Sequence, residues 1–435
     1  MIAIALSAGA SSAMAQGLTP GYIPASPYYA ADASYTTDAS LDARMSMLED
    51  AMKKKVDTVD TKKGWSSPKL AGRMFFESYS MNQSEEPAYF NKVGLRELRL
   101  TLTGNGYEAF DYKAEINFQN ANAIGVNDLW IGAKNIPGLG YFRVGNHYVE
   151  TGMGIITGTT TTTLTDVQAP AGAFGFSRRL GMSSQNLFAH DRIRLFSGIY
   201  QGNNISGNPH FIDYDDYATK RGTIFNTRLT AAPYYADNGR HVLHVGGHYT
   251  YMTTPQGVTM RSGGHSWVGG NSIWTNPIEG DHFRAGLELM YQSGPLGIRS
   301  EAFLAQYGAK DGNGQARGAS AELAYFLTGE HREYSLATGM FGAAKVKRNF
   351  HPFKCGEWNL VDGFGAWQVA AQYSYVDLGD WIEDNGGYQN DWTFGLNWFW
   401  TPNIRWVFAY THSHQDKSNG PSYQDIFGVS ARVQW

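Results

Sequence analysis

Histidines at short spacing are the residues of this chain that could most directly bind a metal ion. His241, His244 and His248 lie in the segment HVLHVGGH. His244 and His248 would share one face of a strand, but four strand residues separate them by about 13 Å, too far for one ion. His412 and His414 are two residues apart on one face, which leaves weak metal binding there as an alternative. The spacing argues against a dedicated metal site.

Carboxylates and the single cysteine also lack the patterns that known chemistries need. Asp213, Asp215 and Asp216 could bind Ca²⁺ in a long loop, but their spacing is not that of an EF-hand. Cys355 is the only cysteine, which excludes an intramolecular disulfide and a cysteine-based zinc site. Its segment HPFKCGEW has no recognisable cysteine-enzyme context. We therefore expect no catalytic residue, no metal and no cofactor.

The composition favours an all-β chain. The 435 residues have 42% hydrophobic residues and a mean hydropathy of -0.37, and no apolar run approaches the roughly 20 residues of a spanning helix. Aromatic residues reach 14%, glycines number 51, and charged residues make up only 17%. This combination is typical of strands with tight turns and aromatic bands. The formal charge of -4 argues against a nucleic-acid partner.

The first 15 residues resemble a cleaved secretion signal. A short apolar stretch precedes Ala13, Met14 and Ala15, which form an A-x-A-like cleavage site. The expected positive charges are missing, since no Lys or Arg precedes Arg44. Either the true start lies upstream or the signal is unusual. We predict an exported protein.

Two further segments precede the main domain. Residues 16–39 are rich in Pro, Ala, Ser and Tyr without a period, and we interpret them as a linker. Residues 40–64 carry a narrow apolar stripe, interrupted by Lys55, that predicts a helix able to form a coiled coil with copies of itself. A lone, partly frayed helix is the alternative. The stripe consists of Leu41, Met45, Leu48, Met52 and Val59.

From residue 68 to residue 435 the pattern is one strand after another. In FDYKAEINF (110–118), apolar or aromatic residues alternate with polar or charged ones, as the two faces of a strand require. Similar alternation recurs at 98–104, 191–202, 283–294, 367–375, 392–400 and 427–435. We count about 17 such segments, and bacterial membrane barrels have an even number.

The charges decide which face of these strands meets water. The polar faces carry many Arg, Lys, Glu and Asp residues, which a closed soluble core could not bury without heavy cost. The apolar faces end in Trp, Tyr and Phe, as membrane-interface bands do. Short turns predicted at 294–297, 328–331 and 401–403 alternate with long polar loops at 201–221, 252–282, 378–390 and 413–423. We predict a transmembrane antiparallel β-barrel with its apolar face outside and a water-filled lumen.

Several segments resemble the phosphate-selective porin O and P family of bacterial outer membranes. The resemblance is carried by GLRELRLTLTGNGYEAFDYKAEINF (94–118), DLWIGAKNIPGLGYFRVGNH (128–147), SRRLG (177–181), AYFLTGEHREY (324–334), GAWQVAAQYSYVDL (365–378) and GLNWFWTPNIRWVFAYTH (395–412). It implies a 16-stranded, trimeric, passive channel in the outer membrane with an N-terminal segment in the periplasm. The C-terminal Trp435 resembles the signal that barrel assembly machinery recognises.

In such a channel, the charges at a constriction of the lumen select which ions pass. We predict that residues 150–176 fold inward and that their hydroxyl run contacts ions or sugars; an exposed polar loop is the alternative. The adjoining Arg178 and Arg179 would add charge at the constriction, or form a rim salt bridge. The hydroxyl run is Thr159, Thr160, Thr161, Thr162 and Thr163. The other lumen cations that we predict to contact anions are Arg99, Lys113, Arg143, Arg192, Arg194, Arg228 and Arg284.

The inward positions carry only a modest excess of basic over acidic residues. The residues alone therefore do not establish phosphate selectivity, which is a hypothesis that the resemblance suggests. We expect a porin for small hydrophilic solutes, with membrane lipid, copies of itself and small anions as partners. An outer-membrane adhesin or an enzyme without a recognisable catalytic motif is the alternative. A secreted soluble sandwich is disfavoured by the number of strands.

Overall fold

The computed structural model describes residues 64–85, 88–119, 124–202, 222–264, 272–275, 278–309, 312–350, 353–354, 357–358, 363–379, 386–417 and 420–435. The predicted signal at 1–15, the linker at 16–39 and the helix at 40–64 therefore lie outside the described residues, apart from Gly64. Cys355 and the aspartates at 213–216 lie outside them too.

Sixteen antiparallel strands form a closed barrel, which confirms the predicted fold. Around the ring their order is β1 (Lys69–Gln83), β2 (Tyr89–Gly106), β3 (Phe110–Asn117), β4 (Gly125–Ile136), β5 (Gly140–Tyr148), β6 (Arg178–Phe188), β7 (Ile193–Gln201), β8 (Thr223–Ala236), β9 (His241–Val258), β12 (Ile278–Ser293), β13 (Leu296–Ala309), β14 (Gly312–Phe326), β19 (Ala366–Asp377), β20 (Tyr388–Thr401), β21 (Ile404–Lys417) and β22 (Gly420–Gln434). Pairing of β1 with β22 closes the ring and leaves no sheet edge.

The remaining elements belong to the connections between barrel strands. The helices are α1 (Met153–Ile156) and α2 (Ala169–Phe174), with a short 3-10 turn at Asp237–Gly239. Three two-stranded pairs are β10 (Arg261–Gly263) with β11 (Ser272–Trp274), β15 (Arg332–Ser335) with β16 (Met340–Ala344), and β17 (Phe353–Lys354) with β18 (Glu357–Trp358). Within the described residues, no helix has the length and hydrophobicity to cross a membrane.

The outer face of the barrel is apolar and the inner face is polar, as predicted. Leu287 is 71% exposed and Ile131 is 48% exposed, whereas Glu115 is 1% exposed. Apolar side chains therefore point outward, where lipid rather than water solvates them, and charged side chains line the lumen. Aromatic contacts occur near both ends of the barrel, as interface bands require: Trp367 stacks on Trp398 near one end, and Tyr375 contacts Tyr388 near the other.

Short turns join the strands at the end of the barrel where β1 begins and β22 ends. Here β4 and β5 are joined by residues 137–139, and β12 and β13 by residues 294–295. The connection 327–365 is the long exception at this short-turn end, so the tight turn predicted at 328–331 leads into a hairpin rather than into the next barrel strand. The long loop predicted at 413–423 is wrong, because β21 and β22 extend through most of it.

Candidate functional site in the barrel lumen

The connection between β5 and β6, residues 149–177, folds into the lumen, and we name it the inner loop. It crosses the barrel: the Asn397 side-chain amide, on β20 almost opposite in the ring, donates to the Thr163 carbonyl at 2.9 Å. Arg405 donates to the Thr162 carbonyl at 2.8 Å, and Arg432 to the Thr159 and Thr165 carbonyls at 2.8 and 2.9 Å. Guanidinium groups of the wall thus satisfy loop carbonyls that have no helix or sheet partner.

Glu150 anchors the start of the inner loop. Its two carboxylate oxygens accept from the two terminal nitrogens of Arg194, both at 2.7 Å, and Arg228 donates to it at 3.2 Å. Burial alone would raise its pKa, but the Arg194 and Arg228 charges hold the pKa of the Glu150 carboxyl below its usual value. Glu150 is therefore an ionised anchor at neutral pH.

The apolar part of the inner loop packs against one half of the lumen wall. Phe174 of α2 stacks on Phe303 of β13 with ring centroids 5.5 Å apart. The same cluster contains Met260 and Ile273, from the loop between β9 and β12. The Glu301 carboxylate of β13 accepts from the Gly154 amide at 2.9 Å. These contacts fill the β12–β14 side with protein.

The threonine run is mostly occupied in fixing the inner loop. The Thr159 hydroxyl donates to Glu97 at 2.9 Å and the Thr163 hydroxyl donates to Glu322 at 2.6 Å. Thr161 and Thr162 donate to loop carbonyls. Thr160 is half-buried and, within the described part of the chain, is the member of the run whose hydroxyl has no hydrogen bond. Contact between this run and a solute stays a prediction, and Thr160 is the hydroxyl available for it.

A second segment enters the lumen from the short-turn end: residues 332–344, formed by β15 and β16, which we name the lumen hairpin. Its tip reaches β6–β8, where Gln185 and Arg194 donate to the Ala337 carbonyl at 3.0 and 2.9 Å. Arg228 donates to the Thr338 and Gly339 carbonyls at 3.1 and 3.3 Å. Arg228 therefore binds the inner loop, the lumen hairpin and, through Glu288 at 2.8 Å, the wall.

The two inward segments also touch each other. Arg332 of the lumen hairpin donates to the Thr163 hydroxyl of the inner loop at 3.0 Å. Burial and the neighbouring Arg299 charge lower the pKa of Arg332 to about 10. The guanidinium remains charged at neutral pH, so its bond to Thr163 is charge-assisted.

The lumen wall of β1–β5, with Arg178 at the start of β6, carries the half-buried cations Arg73, Arg99 and Lys113, and the carboxylates Glu97, Glu115 and Asp128 beside them are buried. Here four cations, which we name the basic wall, lie on a layer of carboxylates. The contacts are Arg73 to Glu97 at 2.8 Å, Arg99 to Glu115 at 3.1 Å, Lys113 to Asp128 at 2.6 Å and Arg178 to Asp128 at 2.8 Å.

The cations of the basic wall are more exposed than the carboxylates beneath them. The Lys113 side chain is 27% exposed and that of Arg73 is 16% exposed, against 2% for Glu115 and 5% for Asp128. An ion in the lumen therefore approaches ammonium and guanidinium groups first. Contact between these cations and a passing anion stays a prediction.

The predicted site residues fall into three groups. Arg99, Lys113 and Arg178 belong to the basic wall, and Arg143 lies beside it without a carboxylate partner among the described residues. Arg194, Arg228 and Arg284 are buried and hold the inward segments; Arg284 donates to the Phe174 carbonyl at 2.6 Å. Arg179 donates to the Arg178 and Gly202 carbonyls, and Arg192 lies exposed at the turn before β7, donating to the Tyr235 carbonyl.

Sequence reasoning missed Arg73, Glu150 and the lumen hairpin. Arg73 lies in RMFFESYSM, whose inward positions mix aromatic and charged residues and so show no clean alternation. Among the described residues, no group of three or more His, Cys, Asp or Glu could hold a metal ion. His244 instead contacts the Tyr334 hydroxyl at 2.6 Å, and His412 contacts Asp425 at 2.8 Å.

Comparison with known proteins gives one family and several distant relatives. The family model described as phosphate-selective porin O and P matches residues 73–435. Porin O of Pseudomonas aeruginosa is 24% identical over 84% of this chain and 87% of its own length. An uncharacterised protein of Caulobacter vibrioides is 27% identical over 73% of this chain, and the match spans 62% of that protein.

Among solved structures, a loop-deletion mutant of OmpT, an outer membrane protein of Vibrio cholerae, superposes with a TM-score of 0.51 at 12% identity. The superposition covers 86% of this chain and all of that chain. At this identity the likeness is one of fold.

Proposed function

Because the chain belongs to the phosphate-selective porin O and P family and is an outer-membrane porin, we propose that small hydrophilic solutes diffuse passively through its lumen along β1–β5 and that anions are preferred. The basic wall carries this proposal, since its cations cover the carboxylates with which they pair. Filling of the opposite half by the inner loop and the lumen hairpin supports a path on the β1–β5 side.

The same pairing limits how far the phosphate hypothesis extends. A guanidinium that already binds a carboxylate has fewer N–H groups left for a bidentate contact with an oxyanion. Arg73 and Arg99 both share the Glu97 and Glu115 carboxylates. We propose a general anion preference in which phosphate is one permeant anion.

Assembly and processing follow as proposals from the family and the sequence. We propose a homotrimer, a cleaved signal and a periplasmic N-terminal segment. Trp435 would interact with barrel assembly machinery during insertion; in the folded barrel its ring lies over Gly72 and its backbone pairs with the same residue. We propose no catalytic role, because the buried acids of the inner loop and the basic wall are engaged in ion pairs.

The zero-current potential of the purified porin in a planar bilayer tests this function. Under a tenfold KCl gradient, we expect a potential of the sign that chloride permeation produces. Heat-modifiable gel migration of the outer-membrane fraction verifies that the sample is a folded barrel. A potential of the opposite sign contradicts the proposal.

A further inference from the structure

Arg143 of β5 lies between two aromatic rings of the lumen wall formed by β4 and β5. Its guanidinium carbon is 4.4 Å from the ring centroid of Trp130 and 5.2 Å from that of Tyr141. Within the described part of the chain, Arg143 forms no ion pair, and its buried Nε donates no hydrogen bond. Lys113, on β3 two strands away, binds Asp128 and Glu115 instead. Arg143 is thus a half-buried lumen cation that no carboxylate contacts among the described residues, although its charge acts at longer range on Glu150.

Two glycines make room for this arrangement. Gly145 pairs with Trp130 across β4 and β5 and has a φ of 129°, and a Cβ there would lie 2.9 Å from the Trp130 Cβ. Gly132 pairs with Arg143, and a Cβ there would lie 2.3 Å from the Tyr141 hydroxyl oxygen. A side chain at Gly145 would collide with the backbone of β4 that carries Trp130, and one at Gly132 would displace the Tyr141 ring. The rings are therefore held where the backbone leaves space for them.

The Tyr141 ring is fixed by a hydrogen bond as well. Its hydroxyl donates to the Asp111 carboxylate of β3 at 2.9 Å. The two rings contact the guanidinium from two sides. These contacts do not neutralise its charge, because a cation–π contact is made with the face of a ring and not with an anion. An arginine held in this way retains in-plane N–H groups for a second ligand.

We propose that Arg143, Trp130 and Tyr141 form a binding site for small organic carboxylates that carry an aromatic ring. The carboxylate pairs with the guanidinium and the ring contacts Trp130 or Tyr141. Chloride or phosphate gains only the first of these contacts. The inference rests on the proposed anion preference: the basic wall admits anions, and this site discriminates among them.

Benzoate and acetate are the probes, because they share the carboxylate and differ in the ring. Each is added to single channels in KCl, and the concentration that blocks half of the current is measured. We expect benzoate to block at concentrations about tenfold lower than acetate, the effect of one aromatic contact. Arg143→Gln should weaken the benzoate block about tenfold or more by removing a charge-assisted pair.

Two further variants distinguish the contribution of the ring contact from that of the charge. Trp130→Leu should weaken the benzoate block about threefold and leave the acetate block unchanged. Lys134→Ala, which removes an exposed charge at the short-turn end of the same strand, should change neither. If Arg143→Gln does not yield a heat-modifiable barrel, Arg143→Lys takes its place: it keeps the charge but lacks the planar fork that orients the carboxylate and lies between the rings, so the preference for benzoate over acetate should fall.

The recordings distinguish this inference from the function on which it rests. An anion-selective wild type with equal block by benzoate and acetate overturns the carboxylate site and leaves the anion preference standing. A benzoate block unchanged by Arg143→Gln also overturns the site. A cation-selective wild type overturns both.

Discussion

Replacing Arg228 with Met tests whether one buried guanidinium holds both inward segments. Arg228 is fully buried and pairs with Glu288, whose side chain is 1% exposed. Removing one partner of a buried ion pair costs about 3–5 kcal/mol, because the other charge stays desolvated. Glu150 keeps its two bonds from Arg194, so Glu288 dominates the loss. We expect the free energy of unfolding to fall by about 3–5 kcal/mol.

Urea unfolding of the refolded barrel at pH 8 measures this loss. The matched control is Arg317→Met, which breaks the pair with Asp377 in which the Arg317 side chain is 70% exposed. Exposed pairs contribute about 0–1 kcal/mol, so the control should change little.

A second substitution checks the cause of the loss. Arg228→Met combined with Glu288→Gln removes the orphaned charge and should recover a large part of the lost stability. Single-channel records of Arg228→Met should also show more current noise, because the lumen hairpin loses two carbonyl contacts at its tip. If Arg228→Met is as stable as Arg317→Met, or the double variant no more stable than the single one, the reasoning is refuted.

Three further predictions follow from the lumen. Lys113→Met should lower the anion-to-cation permeability ratio about thirtyfold, since a charge about 4 Å from a hydrated ion attracts an anion and repels a cation by about 1 kcal/mol each; bilayer potentials measure it, and Lys134→Met is the control. The folded-state pKa of Glu150 lies below its unfolded value of 4.5, so its stabilisation is complete above that pH and is lost as the pH falls through the folded pKa. Current noise should therefore rise on acidification in the wild type and stay constant with pH in Glu150→Gln; a rise of equal size in the variant would exclude Glu150. Thr163→Val removes bonds to Glu322 and Arg332 and should destabilise the barrel to urea by about 1–3 kcal/mol, whereas an equal loss in Thr160→Val would contradict the anchoring role.

The faces of the barrel strands could be predicted from the sequence because a strand alternates locally. Residues 110–118 show both faces within nine positions, and the charges on one face identify the wet side. The inner loop was also accessible, since 150–176 has no period and follows a clear strand. These features need no information about distant partners.

The lumen hairpin was not predicted, because its sequence resembles its neighbours. The segment TGEH (328–331) has the composition of a tight turn, and REYS (332–335) alternates polar and apolar residues as a barrel strand does. Its inward position depends on Arg194 and Arg228, more than 100 residues away. The role of Arg228 was hidden in the same way: its partners Glu150 and Glu288 lie 78 and 60 residues away. A lone sequence shows a charge but not what it pairs with.

The central claim is that anions pass along the basic wall. Crystals soaked in bromide, with anomalous scattering recorded at the bromine edge, test it most directly. The account predicts bromide peaks beside Arg99, Lys113 and Arg143, on the β1–β5 side of the inner loop. Bromide confined to the opposite side, among the residues of the lumen hairpin, or absent from the basic wall at saturating concentration would contradict it.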